Sequence, residues 1–174
     1  RRGRVEGQPP LDGLGPEADT VDAEQLAAMF AAHSARVHTM LRDQRVLAGI
    51  GRMLANEICH RAKVSPFAQT SSMGAEDTER IATAMHDAID EALAVEWERD
   101  DMSSSADRPS RVHNHTGDPC PECGDEVRAV EYKAYTVNYC ATCQTDGKVL
   151  ADNAMSKFGV RDAPPKKRPK RSRR

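Results

Sequence analysis

From Asp22 onward, apolar residues return every three to four positions: Leu26, Met29, Phe30, Val37, Met40 and Leu41. That spacing predicts helix from Ala23 to Leu41, continuous or broken near Ser34, with Asp22 as N-cap and Gln25 three residues on. The stretch Asp43 to Gly51 loses the period and carries two glycines two apart, so it reads as a turn. Helical spacing resumes from Arg52 to Ala62, burying Met53, Leu54 and Ile58, and Ser65-Pro66 ends it. A third helix starts near Gly74, with Glu76, Asp77 and Glu79 at its positive dipole end and a stripe of Ile81, Met85, Ile89 and Leu93. After Glu98 the period changes. Residues 98–111 are polar and Ser-rich and read as a flexible linker. Val127, Val130 and Tyr132, then Tyr135, Val137 and Tyr139, look like two short strands of a hairpin around Lys133-Ala134. The predicted architecture is mainly α: a Pro/Gly-rich linker over 1–21, a helical domain over 22–97, the linker over 98–111, a hairpin module over 112–150, and a tail over 151–174.

Composition narrows this picture. Only 39% of the 174 residues are hydrophobic and 4% aromatic, so the core must be small and aliphatic. No apolar run approaches the length of a membrane-spanning helix. The polar start, Arg1 to Pro10, has no signal-peptide character. An initial Arg in place of Met reads as the start of a fragment. Charge is uneven. The end, Ala163 to Arg174, holds seven basic residues and no acid, leaving a net of −9 on the rest, and reads as a disordered basic tail. Residues 76–101 hold ten acidic side chains against Arg80 and Arg99. Residues 33–63 reverse that balance, with Arg36, Arg42, Arg45, Arg52, Arg61 and Lys63 against Asp43 and Glu57. A basic side around the glycine turn suits an anionic partner; ordinary solvated faces are the bland alternative.

Five cysteines without a secretory signal point to a reducing compartment and a metal. Cys120-Pro-Glu-Cys123 and Cys140-Ala-Thr-Cys143 set two thiol pairs sixteen residues apart, the spacing of a structural Zn²⁺ held by four sulfurs. Such a closed site folds the hairpin and leaves no position for substrate. Cys59 is left as a buried thiol. His113 and His115, just ahead of Cys120, read as exposed. Glu57 reads as the partner of Arg61, four residues on. There is no Ser/His/Asp set, no phosphate-binding Gly-rich loop of nucleotide-dependent enzymes and no acid/base carboxylate pair, and no residue takes a catalytic role.

Two segments carry a family resemblance. Leu41-Arg-Asp-Gln44-Arg45-Val-Leu-Ala-Gly49-Ile-Gly51-Arg52-Met-Leu-Ala-Asn56-Glu57 resembles the helix–two-turn–helix element of the formamidopyrimidine-DNA glycosylase/endonuclease VIII family. Gly117-Asp-Pro-Cys120-Pro-Glu-Cys123-Gly124, with Asn138-Tyr139-Cys140-Ala-Thr-Cys143-Gln144, resembles the zinc finger at that family's C-terminus. The likeness spans about residues 15–150 and implies the DNA-binding half of a base-excision-repair glycosylase and AP lyase acting on oxidised bases. It implies one structural zinc, double-stranded damaged DNA as partner, and a monomeric, cytoplasmic, nucleoid-associated protein of bacterial type. The implied DNA-contacting positions are Arg45, Gly49, Gly51, Arg52 and Tyr135. Arg52 stands where the family has an Asn, and can still hold a phosphate by two donors. Tyr135 stands where the family has an Arg, and its hydroxyl donates one hydrogen bond. The family's N-terminal proline nucleophile, glutamate and lysine have no counterpart here. The rival expectations are a truncated paralogue that binds DNA without cutting it, and a zinc-ribbon adaptor that contacts protein or RNA.

Overall fold

A computed structural model of the chain describes residues 13–99, 108–132 and 134–150. The described residues form five α-helices, two 3₁₀ turns (Ala18–Thr20 and Thr70–Ser72) and one hairpin: α1 (Ala23–Ala32), α2 (Val37–Leu41), α3 (Arg52–Arg61), α4 (Ala75–Trp97), β1 (Val127–Glu131), β2 (Thr136–Cys140) and the single turn α5 (Ala141–Gln144).

The Asp22 carboxylate accepts from Gln25 N at 2.8 Å, and Asp22 N donates back to Gln25 Oε1 at 3.0 Å, so α1 starts with a closed capping box. The helix breaks after Ala32, so of the two expectations the broken helix is the one formed. Buried Thr70 holds the break: its hydroxyl donates to His33 O at 2.6 Å and accepts from Ala35 N at 3.2 Å. Helix α4 packs against both α1 and α3. Between them sits an aliphatic core built on Leu26, Phe30, Met40, Leu41, Leu47, Ile50, Ile58, Ile81 and Met85.

Four expectations change. Residues 14–21 are no loose linker: Ala18 N donates to Ala48 O, Ala48 N donates to Pro16 O, and Ala18 and Val21 are buried. Their apolar side chains complete the core beside the glycine turn. The α4 stripe stops short, because Leu93 is 48% exposed and Trp97 84%, beyond the reach of α1 and α3. Met53 and Leu54 are only half-buried at the open start of α3. Of the 98–111 linker, residues 100–107 lie outside the described residues, while Arg108 is anchored to Glu96 and Arg111 to Glu122. The basic tail also lies outside the described residues.

β1 and β2 pair antiparallel, with Val127 opposite Cys140 and Glu131 opposite Thr136. The hairpin is not a separate bead. Phe67, from the exit of α3, meets the Tyr139 ring edge-on at 6.4 Å, and Gln144 Nε2 donates to Val64 O at 3.0 Å. No helix among the described residues is long and apolar enough to cross a membrane.

Candidate nucleic-acid interface and metal centre

The glycine turn is organised by a residue that the sequence pattern does not single out. Gln44 Nε2 donates to Ile50 O at 2.8 Å and to Arg42 O at 3.2 Å, while its Oε1 accepts from Gly49 N at 3.0 Å. One amide therefore ties both ends of the loop. Gly49 has φ +97°, a conformation that costs an L side chain strain. Gly51 is different. Its φ is −97°, and a Cβ there meets no atom of the described residues within 4 Å. Nothing among the described residues demands glycine at 51; a partner approaching the backbone would. Gly51 is also the N-cap of α3 and makes no side-chain cap, so the first N–H groups of that helix face outward at its positive end.

The hairpin tip comes to this point. Arg52 Nη1 donates to Ala134 O at 3.2 Å, linking the α3 start to the turn between the strands. The Tyr135 ring stacks on Tyr132 with centroids 4.7 Å apart, and the Arg42 guanidinium lies 4.4 Å from its centroid. Arg36 Nη1 donates to Tyr132 Oη at 2.9 Å. Gly49, Gly51, Arg52 and Tyr135 thus line one open groove of about 1010 Å³, with His113, Asn114 and Tyr132. Arg45 does not join them. It lies on the outer side of the turn, pointing into solvent and paired with Asp43, whose carboxyl its hydrogen bonds hold below the usual carboxylate range.

The pattern of ion pairs sorts the arginines. Arg45, Arg61, Arg80, Arg99, Arg108, Arg111 and Arg128 each pair with a carboxylate. Arg36, Arg42 and Arg52 pair with none among the described residues. These are the three that gather at the hairpin tip. Beneath them His38 is buried and stacks at 6.2 Å from Tyr135. Burial, and then the nearby Arg42 charge, push its imidazole down to about 4, so His38 is neutral.

Behind the tip lies the metal centre. The sulfurs of Cys120, Cys123, Cys140 and Cys143 all fall within 4.8 Å of one another, with Cys123 to Cys140 at 3.4 Å and Cys120 to Cys143 at 3.9 Å. A tetrahedral zinc with Zn–S bonds of about 2.3 Å sets its sulfurs about 3.8 Å apart, so the four thiols fit that ion. Zinc there supplies a structural cross-link between the two knuckles. Cys59 lies apart in the helical core, fully buried, and burial pushes its thiol up to about 12.

Two sequence expectations fail here for the same reason: α3 is a docking face. Glu57 does not pair with Arg61, which reaches across to Glu91 instead. Glu57 is buried and accepts the backbone N–H groups of Arg111, Val112 and His113, at 2.9, 3.0 and 3.0 Å. His113 is half-buried, not exposed, and Asn56 Nδ2 meets its Nδ1 at 2.9 Å, while the His115 side chain stays 42% exposed and pairs with Asp118. The signal in the sequence was Asn56, Glu57 and His60, polar residues on the inward side of an otherwise apolar helix.

Comparison with known proteins places this arrangement. Residues 13–104 match the model of the formamidopyrimidine-DNA glycosylase H2TH domain. An uncharacterized formamidopyrimidine-DNA glycosylase-like protein of Mycobacterium tuberculosis is 39% identical over 154 residues, covering 87% of this chain and 98% of that protein. A formamidopyrimidine-DNA glycosylase of Mesorhizobium japonicum is 30% identical over 82% of this chain, which spans only 54% of that relative's length. Among solved structures, MutM (Fpg) of Thermus thermophilus superposes with a TM-score of 0.66 at 29% identity, covering 83% of this chain and 58% of that one. The Lactococcus lactis Fpg bound to abasic-site DNA, at 18% identity and a TM-score of 0.65 over 76% of this chain and 52% of its own, shares the fold.

Proposed function

Since the chain belongs to the formamidopyrimidine-DNA glycosylase family, we propose that it is a DNA-binding module of repair-glycosylase type whose contact point is the junction of the α3 start with the hairpin tip. The observation that carries this reading is the gathering of Arg36, Arg42 and Arg52, without carboxylate partners, around an uncapped helix N-terminus. An anionic backbone satisfies both features together, since each phosphate takes N–H groups from the helix start and charge from an arginine. Gly49, Gly51, Arg52 and Tyr135 serve as contact residues, and Arg45 as a peripheral charge on the flank. One zinc on the four cysteines keeps the tip in position.

In a protein that also carries the family's catalytic residues, this module would belong to a base-excision-repair glycosylase and AP lyase acting on oxidised bases in duplex DNA. The family's nucleophile is an N-terminal proline amine, and 1–174 contains no counterpart. The mycobacterial relative, matched along nearly its whole length, supports a second reading: a paralogue that binds DNA and cuts none. A monomer associated with the nucleoid suits either reading.

The test pairs binding with trapping. A duplex carrying an abasic analogue should bind the chain, with an undamaged duplex and an RNA hairpin of equal length as references. Borohydride with abasic DNA should trap no imine on this chain. Equal affinity for RNA and no preference for duplex DNA would favour the adaptor reading. A covalent adduct within 1–174 would show a nucleophile that neither reading contains.

A further inference from the structure

The last turn of α3 brings His60 to the metal centre. The side chain is buried, and its Nε2 lies 3.2 Å from Cys120 Sγ, the contact joining the helical domain to a metal-binding sulfur. His60 is not one of the clustered ligands, which are the four cysteines alone. A sulfur bound to zinc has lost its proton and can only accept a hydrogen bond. The nitrogen facing it must therefore be the one that carries hydrogen. The other ring nitrogen, Nδ1, is buried without a partner among the described residues, which leaves it as the bare one.

We propose that His60 is a positioning residue of the zinc centre: its Nε2–H donates to the Cys120 thiolate, lowers that sulfur's reactivity, and fixes the metal site to the DNA-facing helix. The geometry that supports this is concerted. Glu57, three residues earlier on the same face, holds the backbone of residues 111–113, and Gln144, just after the last cysteine, is held by Val64 O at the helix exit. Three polar tethers from one helix and its exit thus seat the two knuckles, and only His60 touches a ligand atom. Four thiolates around Zn²⁺ carry a net charge of about −2, and an N–H aimed at one sulfur offsets part of that charge. Withdrawing density from sulfur makes it a poorer nucleophile. This role concerns the metal centre alone and stands whatever nucleic acid the chain binds.

The experiment uses the full zinc-loaded chain and its H60F and H60Q variants. Phe fills the space without a donor, and Gln keeps an N–H that can reach the sulfur. Iodoacetamide is added with a chromogenic zinc chelator present. The sulfur lone pair attacks the reagent's CH₂, the C–S bond forms, iodide leaves, and the alkylated site releases zinc. H60F should release zinc at least about threefold faster than wild type, with H60Q close to wild type, as expected when a charge-assisted hydrogen bond is removed and restored. Cobalt(II) substitution gives a second reading: the sulfur-to-cobalt charge-transfer band should move to lower energy in H60F and stay in place in H60Q. A third needs no variant, since long-range ¹H–¹⁵N correlation of the wild-type protein should show the Nε2–H tautomer at His60. Equal release rates in all three proteins, or equal acceleration in H60F and H60Q, would overturn the proposal. So would an Nδ1–H tautomer, or a cobalt spectrum with a nitrogen ligand.

Discussion

Gly49 and Gly51 are two residues apart and fail differently when a methyl group is added. Gly49 sits at φ +97°, so Gly49→Ala should cost about 1–3 kcal/mol of stability, read as a lower midpoint in urea. Gly51→Ala meets open space and should cost no more than about 1 kcal/mol, the difference between Gly and Ala as an N-cap. Its DNA affinity should nevertheless fall, because in the proposed contact the new Cβ stands between a phosphate and the α3 amides. Loss of stability at 51 without loss of binding would contradict the contact assigned there. His38 gives a pH dependence of defined sign. Its folded imidazole is held at about 4, below the ordinary value of 6.5, by burial first and Arg42 second. The unfolded chain takes up that proton first, so the stability from neutral His38 is complete above about pH 6.5. It is lost as pH falls toward 4, by about 3 kcal/mol in all. H38Q should flatten the urea-stability profile over that window; an unchanged slope would mean that His38 is not held neutral.

Helix α3 does three things along ten residues. Its start is open and carries the proposed DNA contact, its apolar side builds the core, and its polar side seats the metal module. Glu57→Gln tests the last of these. The amide can still accept, but the charge that holds three N–H groups is gone, and a loss of about 2–3 kcal/mol is expected. It should appear as faster hydrogen exchange over residues 111–113 and the hairpin before it appears in α1 or α4. Uniform exchange throughout would mean that α3 does not carry the connection. The helices, the glycine turn, the strands and the four cysteines were all legible in the sequence, because periodicity and spacing act over a few residues, though they leave open whether helix 23–41 breaks. The pairing of Arg61 with Glu91, thirty residues away, and the capture of 111–113 by Glu57 were not. Helical spacing shows that positions 57 and 61 are neighbours, but not that each has a better partner in another element. The packed stretch 14–21 was hidden for the same reason: its prolines and glycines read as linker, while its order comes from Ala48 and Gln44 across the turn.

At the scale of the whole molecule, the metal holds the hairpin, the hairpin tip holds Tyr135, and Tyr135 holds Arg42. Removing zinc with a chelator should therefore unfold the hairpin while keeping most of the helical circular dichroism, and it should also weaken DNA binding. Loss of all helical signal would show the helical domain to be dependent on the metal. The tail, with its seven cations, should add a loose, sequence-independent contact by counterion release, and deleting 163–174 should lower the salt slope by several units. The most direct test of the DNA contact is made on that shortened chain, where only the body binds. The measurement is the slope of log K against log salt for the abasic duplex, with R36A, R42A, R52A and R45A compared against the unsubstituted chain. Each of the first three should reduce the slope by about 0.9, and R45A, outside the groove, by much less. Equal slopes for all four variants and the parent would contradict the account, because the arginines gathered at the hairpin tip would then be meeting no phosphate.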